Sequence, residues 1–232
     1  LVYKRALAMQ DACEANPCAL GACDCDRWLE IWNLVFMQYE RDNDGKLTLL
    51  PRPSIDTGMG LERVASILQG VDSNFDTDFI RPLINKMEVF SDRPYDCGEN
   101  GYPFRVIADH ARACTFLIAD GVFPGNEGRS YVLRRILRRA ARFGKALGVD
   151  RPFLFRMVAT VVDTMGSAYP EIREQQEHIA RVIRQEEERF HETLHEGLKV
   201  LNVILERAAD EGRNTVSGQE AFTLYDTYGF PV

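Results

Sequence analysis

Apolar positions along the chain change rhythm, from short extended runs in the first third to helical spacing beyond residue 103. Trp28–Tyr39 is rich in aromatic and branched residues and Lys46–Leu50 is a second extended run. Asp42-Asn43-Asp44-Gly45 between them has turn chemistry, so residues 28 to 50 read as a β-hairpin. The period of two puts Ile31, Asn33, Val35 and Met37 on one face. Asn33 is a polar group in an apolar row, and its amide is either paired with backbone or turned to a ligand. Pro51-Arg52-Pro53 reads as a rigid connector. Residues 54 to 68 read as a short strand, a glycine turn and a helix with Leu61, Val64, Ala65 and Leu68 on one side, ended by Gly70. The polar segment 71–78 is a candidate domain boundary, and 91–103 reads as a loop.

Beyond that loop the spacing predicts four helices: Arg105–Ala119, Tyr131–Leu147 ended by Gly148, Phe153–Met165, and a long one from about Glu171 to Ala209. The last carries Ile179, Ile183, Phe190, Leu194, Leu198, Leu201 and Leu205 at mostly three- or four-residue intervals, the pattern of a bundle spine.

A length of 232 residues, with 45% apolar and 27% charged, allows one to two ordinary globular domains and argues against a disordered or disulfide-stapled chain. No apolar run approaches the ~18 residues of a membrane span, and the N-terminus lacks a signal-peptide pattern, so a cytoplasmic, non-membrane protein is expected. Six cysteines are then thiols. The spacing of Cys13, Cys18, Cys23 and Cys25 differs from that of zinc knuckles, and no metal is assigned to them. A net charge of −7 rules out a uniformly nucleic-acid-binding surface. The charge is uneven, however: residues 129–145 hold six Arg and one Lys with no acid, whereas Glu186–Glu188 is an acidic run. The basic stretch is either a solvated stripe or a face for phosphates, and its freedom from acids favours RNA.

Gly58-x-Gly60-x-x-Arg63, between strand and helix, lets backbone approach a flat or phosphate-bearing ligand, with Arg63 able to stack on a ring or grip phosphate oxygens. Asp56 at the strand end either holds an ammonium group or caps the turn. Asp42–Gly45 suggests a calcium loop, but Lys46 stands where such a loop needs an oxygen ligand. His110, alone on its helix, reads as packing or hydrogen bonding.

Four segments in one order carry a resemblance: residues 29–38 (Leu-Glu-Ile-Trp-Asn-Leu-Val-Phe-Met-Gln), 56–63 (Asp-Thr-Gly-Met-Gly-Leu-Glu-Arg), the stretch from 105–110 (Arg-Val-Ile-Ala-Asp-His) to 129–135 (Arg-Ser-Tyr-Val-Leu-Arg-Arg), and 224–231 (Leu-Tyr-Asp-Thr-Tyr-Gly-Phe-Pro). Together they resemble the alanyl-tRNA synthetases, a class II family, over about residues 26 to 232. The resemblance implies an α+β fold: a short antiparallel β segment of a class II catalytic domain within residues 1–72, then an all-α tRNA-recognition domain over 73–232. It implies that Asn33, Val35, Asp56 and Gly58 bind L-alanine, with Asp56 on the ammonium group, Val35 and Gly58 lining the methyl pocket, and Asn33 on the aminoacyl group. Gly58, Gly60 and Arg63 would bind ATP, which arrives with Mg2+. On the helical side it implies tRNA(Ala) binding by Arg129, Arg134, Arg135, Arg138, Arg139 and Arg142, and reading of the acceptor-stem G·U wobble pair by Asn126 and Asp226. The implied reaction is attack of the alanine carboxylate on the α-phosphate of ATP, then transfer of alanyl to the terminal ribose; it needs positioning and charge stabilisation, and no side-chain nucleophile.

Set against the family pattern, the chain begins after motifs 1 and 2 and stops before the editing region and its zinc ligands, so it reads as an internal fragment expected not to form alanyl-adenylate alone. A standalone, non-catalytic RNA-binding module is the alternative.

Overall fold

The computed structural model describes residues 2–4 and 28–226. The cysteine cluster at Cys13, Cys18, Cys23 and Cys25, residues 227–232 and the side chain of Asp226 lie outside the described residues. The fold is α+β, and the chain divides into two compact units, Leu1–Asp78 and Phe79–Val232, cut at the far end of the polar 71–78 segment.

In the first unit β1 (Val2–Lys4) pairs antiparallel with β2 (Trp28–Glu30), and β3 (Trp32–Arg41) pairs antiparallel with β4 (Leu47–Met59). The strand expected over 28–39 is broken at Ile31, whose carbonyl accepts from the Gly60 N–H at 3.1 Å. The turn forms as the residues predict. Asp42 Oδ1 accepts from the N–H groups of Asp44 (3.0 Å) and Lys46 (2.8 Å), and Gly45 supplies the left-handed step with φ 84°. The expected connector at Pro51–Pro53 is instead part of β4. Proline has no N–H for a ladder, and here it needs none: between the pairs Met37↔Ser54 and Tyr39↔Leu49, the four residues Leu50, Pro51, Arg52 and Pro53 stand opposite Gln38 alone. This bulge carries the ladder past both prolines. α1 (Leu61–Leu68) follows directly.

The second unit is helical: α2 (Arg81–Ser91), α3 (Tyr102–Ala119), α4 (Gly128–Ala146), α5 (Leu154–Met165), α6 (Pro170–Glu174), α7 (Gln176–Asp210) and α8 (Gly218–Asp226). Its interior is built from Leu83, Ile84 and Met87 of α2, Ile107 of α3, Leu133 and Leu137 of α4, Met157 and Val161 of α5, and Ile179 and Ile183 of α7, all solvent-inaccessible. α2 and α8 extend the four helices expected. The single helix expected from 171 is two, because Gln175 leaves helical geometry (φ −100°, ψ 7°) and its Nε2 donates to the Ala119 carbonyl. The apolar stripe of α7 is covered only in part: Leu194 and Ile204 are buried, while Leu205 is 48% exposed. Among the described residues no helix is long and apolar enough to cross a membrane.

Candidate functional site

The register of the hairpin decides the first site. Asn33 stands directly opposite Gly58, and Val35 directly opposite Asp56. Cross-strand partners share a face, as do residues two apart on one strand, so all four belong to one face of β3 and β4 within about 5 Å of their neighbours. All four are solvent-exposed, and Val35 is 49% so. Among the described residues the side chains of Asn33 and Asp56 make no hydrogen bond, so the ladder neither caps nor pairs them. A Cβ added at Gly58 would meet nothing within 4 Å. The face therefore offers one carboxylate, one amide and a bare backbone floor side by side. This can hold an ammonium group and a small apolar substituent at once.

Arg63 lies one turn into α1, and its Nη1 donates to the Glu30 carbonyl at 2.6 Å. Across the stem of that side chain Gly60 is close-packed, since a Cβ at residue 60 would sit 3.1 Å from Arg63 Cδ. Glycine at 60 lets Arg63 fold back over the strand end, which anchors the guanidinium and leaves its remaining N–H groups and flat faces for a ligand. Among the described residues no three His, Cys, Asp or Glu side chains converge to hold a metal ion. His191 and His195, one turn apart on α7, line an open groove with Lys145, Asp150 and Glu192, and this set too lacks a convergent trio.

On α4 the arginines divide into two sets. Arg129, Arg135, Arg139 and Arg142 are exposed. Among the described residues the first, second and fourth of these have no hydrogen bond or ion pair, whereas Arg139 donates to the Tyr102 hydroxyl at 2.8 Å. Arg134 and Arg138 instead face α7, where the Nε of each donates to a single oxygen, Glu186 Oε1, at 2.9 and 2.7 Å. Arg134 Nη1 also donates to Asn126 Oδ1. Asn126 is exposed, in the turn before α4 that Gly125 and Gly128 permit: a Cβ at 125 would crowd Ser130 Cβ at 2.8 Å, and Gly128 has φ 54°. Asp226 is the last residue of α8, and its side chain lies outside the described residues.

Glu186 and Glu187 are missing from the residues picked out by sequence. They read as two members of an acidic run, and they are 5% and 0% exposed. The signal was spacing: both lie three or four residues from Ile183 and from Phe190, within the apolar stripe of α7. Glu187 accepts the N–H groups of Phe153 (2.8 Å) and Leu154 (3.0 Å) at the start of α5, and burial pushes its carboxyl up to about 7. His110 is occupied as expected of a bonded histidine, with Nδ1 3.0 Å from Asp109 Oδ2, and that contact holds the Asp109 carboxyl below its usual range.

Comparison with known proteins fixes the class. The chain belongs to the class II tRNA synthetases, since the family model "tRNA synthetases class II (A)" matches residues 3–232. Three of its relatives carry one name. It is 54% identical over 230 residues to the Alanine--tRNA ligase of Anaeromyxobacter dehalogenans (strain 2CP-C), covering 93% of this chain and 25% of that protein. It is 54% identical over 208 residues to the Alanine--tRNA ligase of Geobacillus kaustophilus (strain HTA426), covering 89% and 23%. The same identity and length hold for that of Geobacillus thermodenitrificans (strain NG80-2), covering 89% and 24%. The likeness to alanyl-tRNA synthetases read from the motifs is thus shown, and the chain spans about a quarter of the length of these curated relatives.

Proposed function

We propose that this chain contributes to ATP-dependent activation of L-alanine and its transfer to tRNA(Ala) in the cytoplasm, the first unit holding alanine and ATP and the helical unit the acceptor stem. The observation that carries the reading is the register Asn33↔Gly58 and Val35↔Asp56, which gathers onto one sheet face every residue assigned to alanine. Asp56 takes the ammonium group, Val35 and the bare Gly58 floor take the methyl, and Asn33 takes the carboxyl end. A pocket shaped for a methyl group excludes larger side chains by contact and rejects smaller ones weakly. Arg63, with Gly60 beneath it, takes the adenine face and the terminal phosphate of ATP. Mg2+ keeps most of its water and binds through nucleotide phosphates in such sites.

The exposed arginines of α4 supply the phosphate contacts, and Asn126 with Asp226 reads the G·U pair. Polar side chains suit the wide, shallow minor groove of A-form RNA. Among the described residues both faces of the hairpin are open, with Val35 49% and Phe36 66% exposed, so the alanine face is accessible to a ligand from solvent.

Two measurements on this chain test the reading. In hydrogen exchange, ATP with alanine is expected to protect residues 56–63. A minihelix of the alanine acceptor stem is expected to bind more weakly as salt rises. RNA binding without protection favours the non-catalytic RNA-binding module, and loss of both overturns the assignment.

A further inference from the structure

Asn126 is an exposed turn residue, and an exposed amide samples several rotamers unless something holds it. Here something does, through a chain of contacts that begins in the interior. Glu186 of α7 is 5% exposed, and its Oε1 receives the Nε–H groups of both Arg134 and Arg138. Arg138 is clamped further, its guanidinium lying over the Phe190 ring at 5.2 Å from the centroid. A guanidinium is planar, so fixing Nε–H on Glu186 fixes the plane and with it the direction of Nη1. Arg134 Nη1 is directed at Asn126 Oδ1.

The polarity of that last bond has a chemical result. Arginine has five donors and no acceptor, so only the carbonyl end of the amide can face it. Asn126 therefore turns its Nδ2 outward and presents an RNA with a hydrogen-bond donor. The sequence alone allowed donor or acceptor; the pairing with Arg134 leaves the donor. A donor at that position suits acceptors on the minor-groove edge, and it complements a carboxylate at 226, which can only accept.

We propose that Glu186 is a positioning residue for wobble-pair recognition: buried beneath α4, it sets Arg134, which holds Asn126 as a donor toward the acceptor stem. The proposal rests on the reading of Asn126 given above. It also separates Arg134 and Arg138 from the exposed arginines, assigning them to orientation and the others to phosphates.

The test compares two acceptor-stem minihelices, one with the G·U pair and one with G·C in its place, titrated against the chain and its variants with thermal melting alongside. Glu186→Gln removes the charge and one acceptor while keeping the volume. It is expected to lower the preference for G·U about tenfold, within the range one base-pair contact carries. Asn126→Asp keeps the contact with Arg134 but has no donor, and it is expected to lose the preference as fully as Asn126→Ala does. A merely structural Glu186 would lower the melting temperature and weaken both RNAs alike with the ratio unchanged, and that result overturns the proposal. If Glu186→Gln does not fold, Arg134→Lys is read in the same way, since an ammonium cannot span Glu186 and Asn126 together; a preserved ratio there overturns the proposal as well. No preference in the unaltered chain, or a preference that survives Asn126→Ala, overturns the wobble reading itself. Loss in Asn126→Ala with survival in Glu186→Gln overturns only the role of Glu186.

Discussion

The hairpin and the long helix α7 contain the same irregularity in sequence and resolve it in opposite ways. Asn33 interrupts the apolar row of Ile31, Val35 and Met37 on β3 as Glu186 and Glu187 interrupt the stripe of α7: in each, polar groups sit where the period calls for apolar ones. On the hairpin the polar groups stay exposed, and the ladder gives their side chains no partner among the described residues. On α7 they are buried and matched, Glu186 by two guanidinium groups and Glu187 by two backbone N–H groups. A polar residue in an apolar row is thus a structural bolt where another element covers it and stays open to solvent where, among the described residues, none does. Sequence shows the irregularity, and only the covering element decides its use.

The comparison predicts its largest effect at Glu187. Replacing it with Ala strips two buried N–H groups at the start of α5 of their acceptor and leaves a cavity, an expected loss of about 3 kcal/mol in urea unfolding. The carboxyl has a folded pKa of about 7, above its ordinary 4.5, so between those values the folded state holds more protons than the unfolded one. Stability from this group is therefore greatest below pH about 4.5 and falls as pH rises toward 7, by about 3 kcal/mol. Glu187→Gln keeps an acceptor for the N–H groups and is expected to flatten that slope. A slope unchanged in Glu187→Gln breaks the contrast with the hairpin, because the buried carboxylate would then be behaving as an open one.

Next come two glycines. A Cβ at Gly144 would run into the buried Phe153 ring, whereas one at Gly58 meets nothing. Gly144→Ala should cost about 2 kcal/mol net, an overpacking loss of about 3 reduced by about 1 of helix propensity, or about 5 °C in melting temperature. Gly58→Ala should shift melting by under about 1 °C while abolishing alanine-dependent protection of residues 56–63. A hairpin variant that loses both together would show that Gly58 is a packing residue.

A smaller effect separates the arginines. Arg135→Ala and Arg142→Ala, on the exposed side of α4, should each lower the salt slope of minihelix binding by about one and weaken both RNAs severalfold, with melting unchanged. Arg138→Ala, which takes a partner from buried Glu186, should lower the melting temperature instead.

Much of this was legible beforehand. The Asp42–Gly45 turn, the period of β3 and the helical spacing of α3, α4, α5 and α7 follow from local rules, and the gathering of Asn33, Val35, Asp56 and Gly58 follows once the register is known. The register itself was not legible, because the proline pair in β4 reads as an interruption until Gln38 is seen to absorb it. α2 lies outside the helices the spacing predicts, although Pro82 opens it and Leu83, Ile84 and Met87 carry its buried side. The division of the α4 arginines was hidden for a different reason. Charge spacing shows which residues share a face, but Arg134 and Arg138 face α7 only because a buried glutamate waits there, 48 or more positions along the chain.

The smallest expected effect concerns the helix that ends on Asp226. α8 begins with a reciprocal cap: Ser217 Oγ accepts from the Glu220 N–H at 3.2 Å, and Glu220 Oε2 accepts from the Ser217 N–H at 2.8 Å. Hydrogen bonding to Ser217 holds the Glu220 carboxyl below its usual range, and Arg213 beside it acts in the same sense. Ser217-x-x-Glu220 is the sequence mark of such a start. Ser217→Ala should loosen the first turn of α8 by about 1 kcal/mol, seen as faster amide exchange over residues 218–222 with global melting unchanged. Because α8 holds few contacts beyond α7, frayed copies carry Asp226 on a less fixed backbone. The preference for the G·U minihelix should then fall by a factor of about two, less than for any change at Asn126. An unchanged preference in a visibly frayed α8 would detach that helix from recognition and leave the turn before α4 as its sole described carrier.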